Sequence, residues 1–122
     1  MRALFGLTLL LVGCDDHLFP TGPLPEGGCE PTWTGVEEIL VANCVVCHPG
    51  AGETDLVTEI PADVTSGAGA YIVVGDPDTS YLYDRLLGEG GESIMPLGAT
   101  VPLPDETLQC VYDWIAAGAP LD

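Results

Sequence analysis

Two cysteines separated by two residues, with a histidine directly after the second, stand near the middle of the chain as Cys44, Cys47 and His48. This spacing is the attachment signature of a c-type haem. On a helix the two sulfurs would lie one turn apart on the same face, where both can form thioethers to the vinyl groups along one porphyrin edge. The adjacent imidazole would then reach the iron. The pattern therefore predicts one covalent haem c on Cys44 and Cys47, with His48 as an axial ligand.

A pair of cysteines at this spacing also occurs in redox dithiols and in zinc sites. A thioredoxin-type dithiol belongs to a βαβ unit, which the sequence pattern does not indicate. A structural zinc ion needs four nitrogen or sulfur ligands, and the sequence has no second CxxC and no HxxxH. Two purely structural cysteines are a further alternative. We favour the haem interpretation because it accounts for the histidine as well as for both cysteines.

The second axial position of the iron has few candidates. The chain contains no lysine, its other histidine is His17, and Met95 is its only methionine after the initiator. The iron would be ligated by His48 and Met95, or by His48 and His17, or in an unusual way. A soft thioether favours the ferrous state, and His/Met ligation raises the reduction potential. Pro96 biases Met95 to an extended backbone, as a loop across a haem face requires. Met95 as a filler of the core is the simpler alternative.

The first residues form a targeting segment. Arg2 precedes an apolar run over residues 3–12 that is too short to span a bilayer. The run ends in Leu11-Val12-Gly13-Cys14, which resembles a bacterial lipobox, although an ordinary secretory signal is an alternative. We therefore expect residues 1–13 to be a lipoprotein signal peptide. The mature chain would be anchored through lipid on Cys14 at the periplasmic side of a bacterial membrane, inner or outer.

Two further cysteines remain after these assignments. Of the five in the chain, Cys29 and Cys110 are left once lipid and haem have taken the others. Outside the cytoplasm, two such thiols predict a disulfide. Closing so long a loop would contribute about 4 kcal/mol in the chain-entropy model. The alternative is two unpaired thiols, with Cys110 packed as a small core residue.

The charge balance is strongly acidic. Nineteen Asp and Glu residues stand against two basic ones, and the formal net charge is −17. Loss of the signal peptide would remove Arg2, bring the charge to −18 and leave Arg85 as the only arginine. Such a field disfavours nucleic acid and anionic lipid surfaces as partners. It favours rapid encounter with a basic redox partner, although a solvated acidic surface without a partner is equally compatible.

Composition also divides the chain into regions. Residues 14–31 are rich in proline and glycine and carry no apolar period, which indicates a tether. Residues 32–122 suffice for one small domain, whose thin core a buried porphyrin would supplement.

Apolar periodicity predicts three helices in this domain and a short fourth one. The helix that begins near residue 35 would start from a capping box of Thr34 and Glu37. The helix that begins near residue 80 would stop at Gly88. A brief extended run is predicted at residues 71–74. The helices would span residues 35–47, 60–66, 80–87 and 104–117, and the last would carry an apolar stripe of Leu108, Val111, Tyr112 and Ile115 with Trp114 beside it.

From about residue 36 onward, the chain resembles small class I monohaem cytochromes c, and most closely the short cytochrome domains of planctomycete-type and myxobacterial-type secreted proteins. The specific features are the CxxCH segment and the Met95-Pro96 pair. Softer matches are Thr54-Asp55-Leu56, Val74-Gly75-Asp76-Pro77, Ser80-Tyr81-Leu82-Tyr83, Trp114-Ile115 and Gly118-Ala119-Pro120. The resemblance implies an all-α cytochrome c-like fold of three to four short helices around a covalent haem. It also implies crosswise packing of the first and last helices and His48/Met95 ligation.

The chain departs from that family in two respects. The lysines that ring the haem edge of many soluble members are absent, so the same kind of partner cannot be assumed. A Cys29–Cys110 pair is not a general feature of the family either.

These observations favour a one-electron carrier rather than an enzyme. A peroxidase-like haem enzyme needs an open iron position and a distal acid–base pair. Apart from its histidines, the mature chain offers only Arg85 as a basic residue. The alternatives are a haem subunit of a redox enzyme and a non-redox interaction lipoprotein at the cell surface.

Overall fold

Four α-helices form the regular structure of the described residues, which in this computed structural model are 29–45, 47–48, 55–67 and 71–122. The helices are α1 (Trp33–Asn43), α2 (Leu56–Ser66), α3 (Tyr81–Leu87) and α4 (Asp105–Ala116), and a 3-10 turn at Pro77–Thr79 precedes α3. These segments contain no strand, which confirms the expected helical class. None of their helices is long and apolar enough to cross a membrane.

The helices α1 and α4 pack against each other at the centre of the core. Trp114 of α4 is fully buried, with its ring centroid 5.6 Å from that of Trp33 in α1. Its indole nitrogen donates a hydrogen bond to the carbonyl of Pro120 at 2.9 Å. Smaller apolar side chains from all four helices complete the core. The buried ones are Val36, Ile39, Leu40, Ile60, Leu82, Leu86, Leu108, Val111 and Ile115.

The apolar stripe predicted for α4 needs one correction. Leu108, Val111 and Ile115 are buried as expected, but Tyr112 is only half-buried. Tyr112 lies edge-on to Tyr83 of α3, with ring centroids 5.4 Å apart. The centre of the stripe is instead Trp114, whose polar nitrogen is satisfied within the core.

The start of α1 also differs from the predicted capping box. The N-cap is Thr32, whose hydroxyl accepts from the Gly35 N–H at 3.2 Å. The carboxylate of Asp122 accepts from the N–H of Trp33 at 2.6 Å and from the N–H and hydroxyl of Thr34. Thr34 therefore binds Asp122 and does not cap the helix. A carboxylate at this end also complements the helix dipole, so a residue distant in sequence supplies what Glu37 was expected to supply.

Replacing Asp122 with asparagine is expected to destabilise the fold at neutral pH but not in acid. The hydrogen bond from the Thr34 hydroxyl, with those from the backbone, holds the pKa of Asp122 below its ordinary 3.8. A lowered folded-state pKa contributes stability above 3.8 that is lost as the pH falls through the lowered value. Thermal unfolding midpoints of the wild type and D122N should differ at pH 7 and converge in acid. A constant difference over this range would contradict the assignment, and E38Q, on an exposed position of α1, is the control.

The helix α2 is longer than predicted, and it anchors the segment that follows. Asp55 caps its first turn by accepting from the Thr58 N–H at 3.3 Å. The Asp63 carboxylate accepts from the N–H groups of Tyr71 and Ile72 at 3.0 and 3.1 Å. The predicted extended run therefore forms no strand, because a helix side chain rather than a second strand binds its backbone.

The buried hydroxyl of Ser80 closes the turn before α3. It accepts from the Val73 N–H at 2.8 Å and donates to the Asp76 carbonyl at 2.9 Å. The turn is tied to α4 as well, because the Gly75 N–H donates to the Ile115 carbonyl at 3.0 Å. These bonds set the direction in which α3 leaves the turn. As predicted, α3 ends at Gly88, which adopts a left-handed conformation at φ 72°.

A disulfide joins the residues before α1 to α4. The Cα atoms of Cys29 and Cys110 are 5.8 Å apart. Cys110 is buried, and Cys29 packs against the same apolar cluster. The last residues of the predicted tether region are thus covalently fixed to the helix pair at the centre of the core.

Candidate cofactor-attachment site

Cys44, Cys47 and His48 lie in a tight turn directly after α1. Cys44 caps the helix by donating its N–H to the Leu40 carbonyl at 2.8 Å. The N–H groups of Cys47 and His48 both donate to the Cys44 carbonyl, at 3.1 and 2.9 Å. Backbone hydrogen bonds to the Cys44 carbonyl therefore bring the three predicted residues together. The prediction that the helix continues to residue 47 is wrong, since α1 ends at Asn43.

The end of α1 is stabilised locally. Cys44 has φ −123° and ψ −35°, which lies outside the helical region. Before it, the Asn43 side-chain amide donates to the Ile39 carbonyl at 2.9 Å, and the Val45 N–H donates to the Leu40 carbonyl at 3.2 Å. These bonds add second donors to the last carbonyls of the helical ladder. The motif thus starts from a fixed helix end.

The Cys44 thiol faces the apolar interior. It packs partly against the core cluster and is the free cysteine among the described residues. Burial raises the pKa of Cys44 from 9.0 to about 11, because an apolar environment disfavours the thiolate. At neutral pH this sulfur is therefore a protonated thiol.

The imidazole of His48 has one buried nitrogen that no other described residue binds. Its Nδ1 atom is inaccessible to solvent and forms no hydrogen bond with the described residues. Leaving a buried polar atom unsatisfied costs about 1–3 kcal/mol. A histidine nitrogen is also among the commonest ligands for iron. The described residues therefore leave this polar atom unsatisfied.

Cys47 is half-buried, and its sulfur is in a disulfide. A thioether at this position would require the thiol form of Cys47. The motif turn does not depend on this bond, because backbone hydrogen bonds to Cys44 define it.

Met95 lies in the loop between α3 and α4 and is half-buried. Its N–H donates to the Arg85 carbonyl at 2.8 Å, near the end of α3. The preceding Ile94 lies close to Gly88, where a Cβ atom would come within 3.0 Å of the Ile94 side chain. The contacts that fix Met95 are therefore with α3 rather than with the motif turn. The chain around Met95 is held on a rigid helix rather than left as a free loop.

Arg85 also interacts with this loop through its side chain. Its Nη1 atom lies 3.2 Å from Oε2 of Glu92, although it is not oriented to donate a hydrogen bond. The Tyr81 hydroxyl donates to the same Glu92 oxygen at 3.1 Å. The guanidinium carbon lies 5.9 Å from the centre of the Tyr81 ring. The hydrogen bond to Glu92 is the main reason why the pKa of Tyr81 is raised.

The sequence alone indicates no role for Tyr81 or Glu92. Tyr81 and Arg85 are four residues apart on one helix, which is the spacing that brings side chains together. That spacing was a usable signal for the aromatic–cation contact. The contact with Glu92 was not predictable, because the path of the intervening loop decides it.

Several predicted residues and partners fall outside these observations. Cys14 and His17 lie outside the described residues. Within residues 29–45, 47–48, 55–67 and 71–122, no group of three or more His, Cys, Asp or Glu residues is arranged to hold a metal ion.

No known family model, curated protein or solved structure matches the chain.

Proposed function

We propose that this chain is a c-type cytochrome that carries one electron at a time. One haem would be bound covalently by Cys44 and Cys47, with His48 and Met95 as its axial ligands. The observation that carries the proposal is the motif turn. It places two cysteines and a histidine around one backbone carbonyl, and it leaves a buried imidazole nitrogen without a partner among the described residues.

The residues present fit such a group chemically. The sulfurs of Cys44 and of a reduced Cys47 would be one turn apart, which matches the two vinyl groups on one porphyrin edge. Cys44 is already held as a neutral thiol beside the core. The bound iron would supply a reversible one-electron couple. The apolar packing of Cys44 would exclude water from that side of the porphyrin. A methionine on the other side would favour the reduced state.

A carrier is supported over a haem enzyme by the small number of groups that could act as acid or base. Arg85 is the only arginine or lysine among residues 14–122. Its guanidinium is already engaged with Glu92 and with the Tyr81 ring. The proposed second ligand, Met95, would also close the iron position at which a peroxide would bind. We therefore assign electron transfer, with no substrate bound at the iron.

The location and partner are part of the same proposal. The segment ending in Cys14 would be cleaved and lipidated, which would anchor the domain at the periplasmic side of a bacterial membrane. The acidic surface would favour a basic redox partner, with association that weakens as salt is added.

Substituting Met95 with alanine is expected to leave covalent haem in place but to open one axial position. The ferric methionine-to-iron charge-transfer band should disappear, and cyanide should bind readily. The midpoint potential should fall by on the order of 0.1 V, since the axial ligand is a main determinant of haem potential. Optical spectra and a redox titration of protein matured with haem would measure these changes.

The matched control is L97A, which removes an exposed apolar side chain two residues away in the same loop. It should keep the band and the potential of the wild type. A wild-type protein that carries covalent haem but lacks the band, or an M95A protein that keeps it, would contradict ligation by Met95.

A further inference from the structure

We infer that Tyr81, Arg85 and Glu92 form a clamp that positions Met95, and this inference rests on the proposed function. The clamp is defined by those three side chains. It joins α3 to the loop that carries the proposed axial sulfur. Its role is to hold that loop closed, so that loosening the clamp releases the methionine without altering the motif turn.

The geometry of Arg85 is the first argument. Its carbonyl accepts from the Met95 N–H at 2.8 Å, while its guanidinium lies 3.2 Å from the Glu92 carboxylate. One helix residue therefore binds the loop at two points, three residues apart in the loop. A loop held at two points on the same residue has little freedom to move Met95 relative to α3.

Electrostatics supply the second argument. The Arg85 side chain is 12% exposed, whereas that of Glu92 is 54% exposed. An ion pair with one buried member is screened less than a surface pair. Beyond the targeting segment, Arg85 is the only arginine or lysine, against 19 acidic residues in the chain. This single guanidinium charge faces an acidic residue of the loop that carries Met95. Its position in the last turn of α3 is also favourable for a cation.

Tyr81 provides the third argument. The hydroxyl donates to the same Glu92 oxygen that faces Arg85, and the ring lies beneath the guanidinium. The two helix residues thus orient one carboxylate from different directions. A hydrogen bond to an ionised acceptor is stronger than one between neutral groups. The hydrogen bond from Tyr81 therefore orients the Glu92 carboxylate, which the attraction between the charges of Arg85 and Glu92 alone does not do.

The tight passage from α3 into the loop is the fourth argument. Gly88 has a positive φ, and a Cβ there would lie within 3.0 Å of the Ile94 side chain. Gly88, at the start of the loop, therefore lies against Ile94, the residue directly before Met95. The clamp and this close approach both act on residues 88–95, and both bring the chain before Met95 onto α3.

The test uses haem-loaded protein and three single variants. Y81F removes only the hydroxyl that donates to Glu92, and E92Q removes the charge that faces Arg85. E89Q removes an identical charge from the same loop outside the clamp and is the matched control. Cyanide must displace the methionine, so a looser loop raises the apparent affinity for cyanide. We expect the apparent dissociation constant to fall about tenfold in E92Q, which corresponds to about 1.4 kcal/mol, and severalfold in Y81F.

A second measurement reports on the loop directly. Exchange of the Met95 amide hydrogen, which is bonded to the Arg85 carbonyl, should accelerate about tenfold in E92Q, again equivalent to about 1.4 kcal/mol. It should be unchanged in E89Q. Far-UV circular dichroism monitors folding, and Y81F decides the outcome if E92Q is unfolded, because Y81F changes a single atom of a partly exposed ring.

The possible results separate the two proposals. Increased cyanide affinity and faster Met95 exchange in the clamp variants, but not in E89Q, support the clamp. A wild-type charge-transfer band with cyanide affinity and exchange unchanged in both variants overturns the clamp alone. A wild-type protein without covalent haem, or without the band, overturns the proposed function and the role of the clamp with it.

Discussion

A chain in which Cys44 and Cys47 are both alanine is expected to contain no covalent haem. The wild type, expressed with a haem-maturation system, should contain one haem per chain. The double variant removes both sulfurs that can form thioethers, while the backbone bonds of the turn remain available. A pyridine haemochrome spectrum gives the stoichiometry, and haem staining after denaturing electrophoresis shows whether the group is covalently bound.

The matched control is a second double variant, C29S/C110S. It removes the same number of sulfurs from a disulfide that lies at the other end of α1. This control should keep covalent haem at reduced stability, because the bond it loses closes a long loop. Colourless wild-type protein from a competent maturation host would refute the assignment. Equal haem contents in the wild type and in the variant without Cys44 and Cys47 would do so as well.

Replacing Trp114 with alanine is expected to remove most of the stability of the domain. The side chain is fully buried, its ring contacts Trp33, and its nitrogen donates to Pro120. Truncation of a buried tryptophan costs about 3–5 kcal/mol through lost burial and the cavity that remains. Small domains are stable by only about 5–15 kcal/mol in total. Urea unfolding followed by far-UV circular dichroism would measure the difference.

Two controls separate packing from hydrogen bonding in this experiment. W114F keeps an aromatic ring but loses the donor to Pro120, so it should cost less than W114A, by an amount that reflects the cavity. V41A changes an apolar residue of α1 that is 53% exposed, and its effect should stay within about 0.5 kcal/mol. A loss below about 1 kcal/mol in W114A would show that Trp114 is not central to the core.

The helical class and the helix ends marked by local chemistry could be predicted from the sequence. Gly88 ends α3 as expected, because glycine reaches the left-handed conformation without strain. The apolar positions of α1 were also predictable, since Val36, Ile39 and Leu40 recur at helical spacing and are buried. In these cases the deciding interactions lie within a few residues of one another.

Features that depend on distant residues were not predictable. The first turn of α1 binds Asp122, about ninety positions away, so Thr34 interacts with Asp122 instead of capping the helix. The run at residues 71–74 has the apolar character of a strand, but its N–H groups bind Asp63 and Ser80. The central place of Trp114 in the core was not predictable, because the apolar stripe of a helix does not show which side chain meets a neighbouring helix. Tertiary contacts decide all three.

The candidate site divides in the same way. The cysteine and histidine spacing predicted that Cys44, Cys47 and His48 lie together, but at the end of a helix rather than in the turn that follows α1. Met95 could be named by elimination, because the chain offers so few ligands. Its attachment to Arg85 could not, since it depends on how the loop returns to α3.

Helix α1 has a cysteine at each of its ends. Cys29 and its sulfur bridge lie before the first turn, and Cys44 follows the last. Eleven helical residues span about 16 Å. The disulfide and the attachment motif are therefore separated by the full length of this helix, so a change at one cysteine pair need not disturb the other.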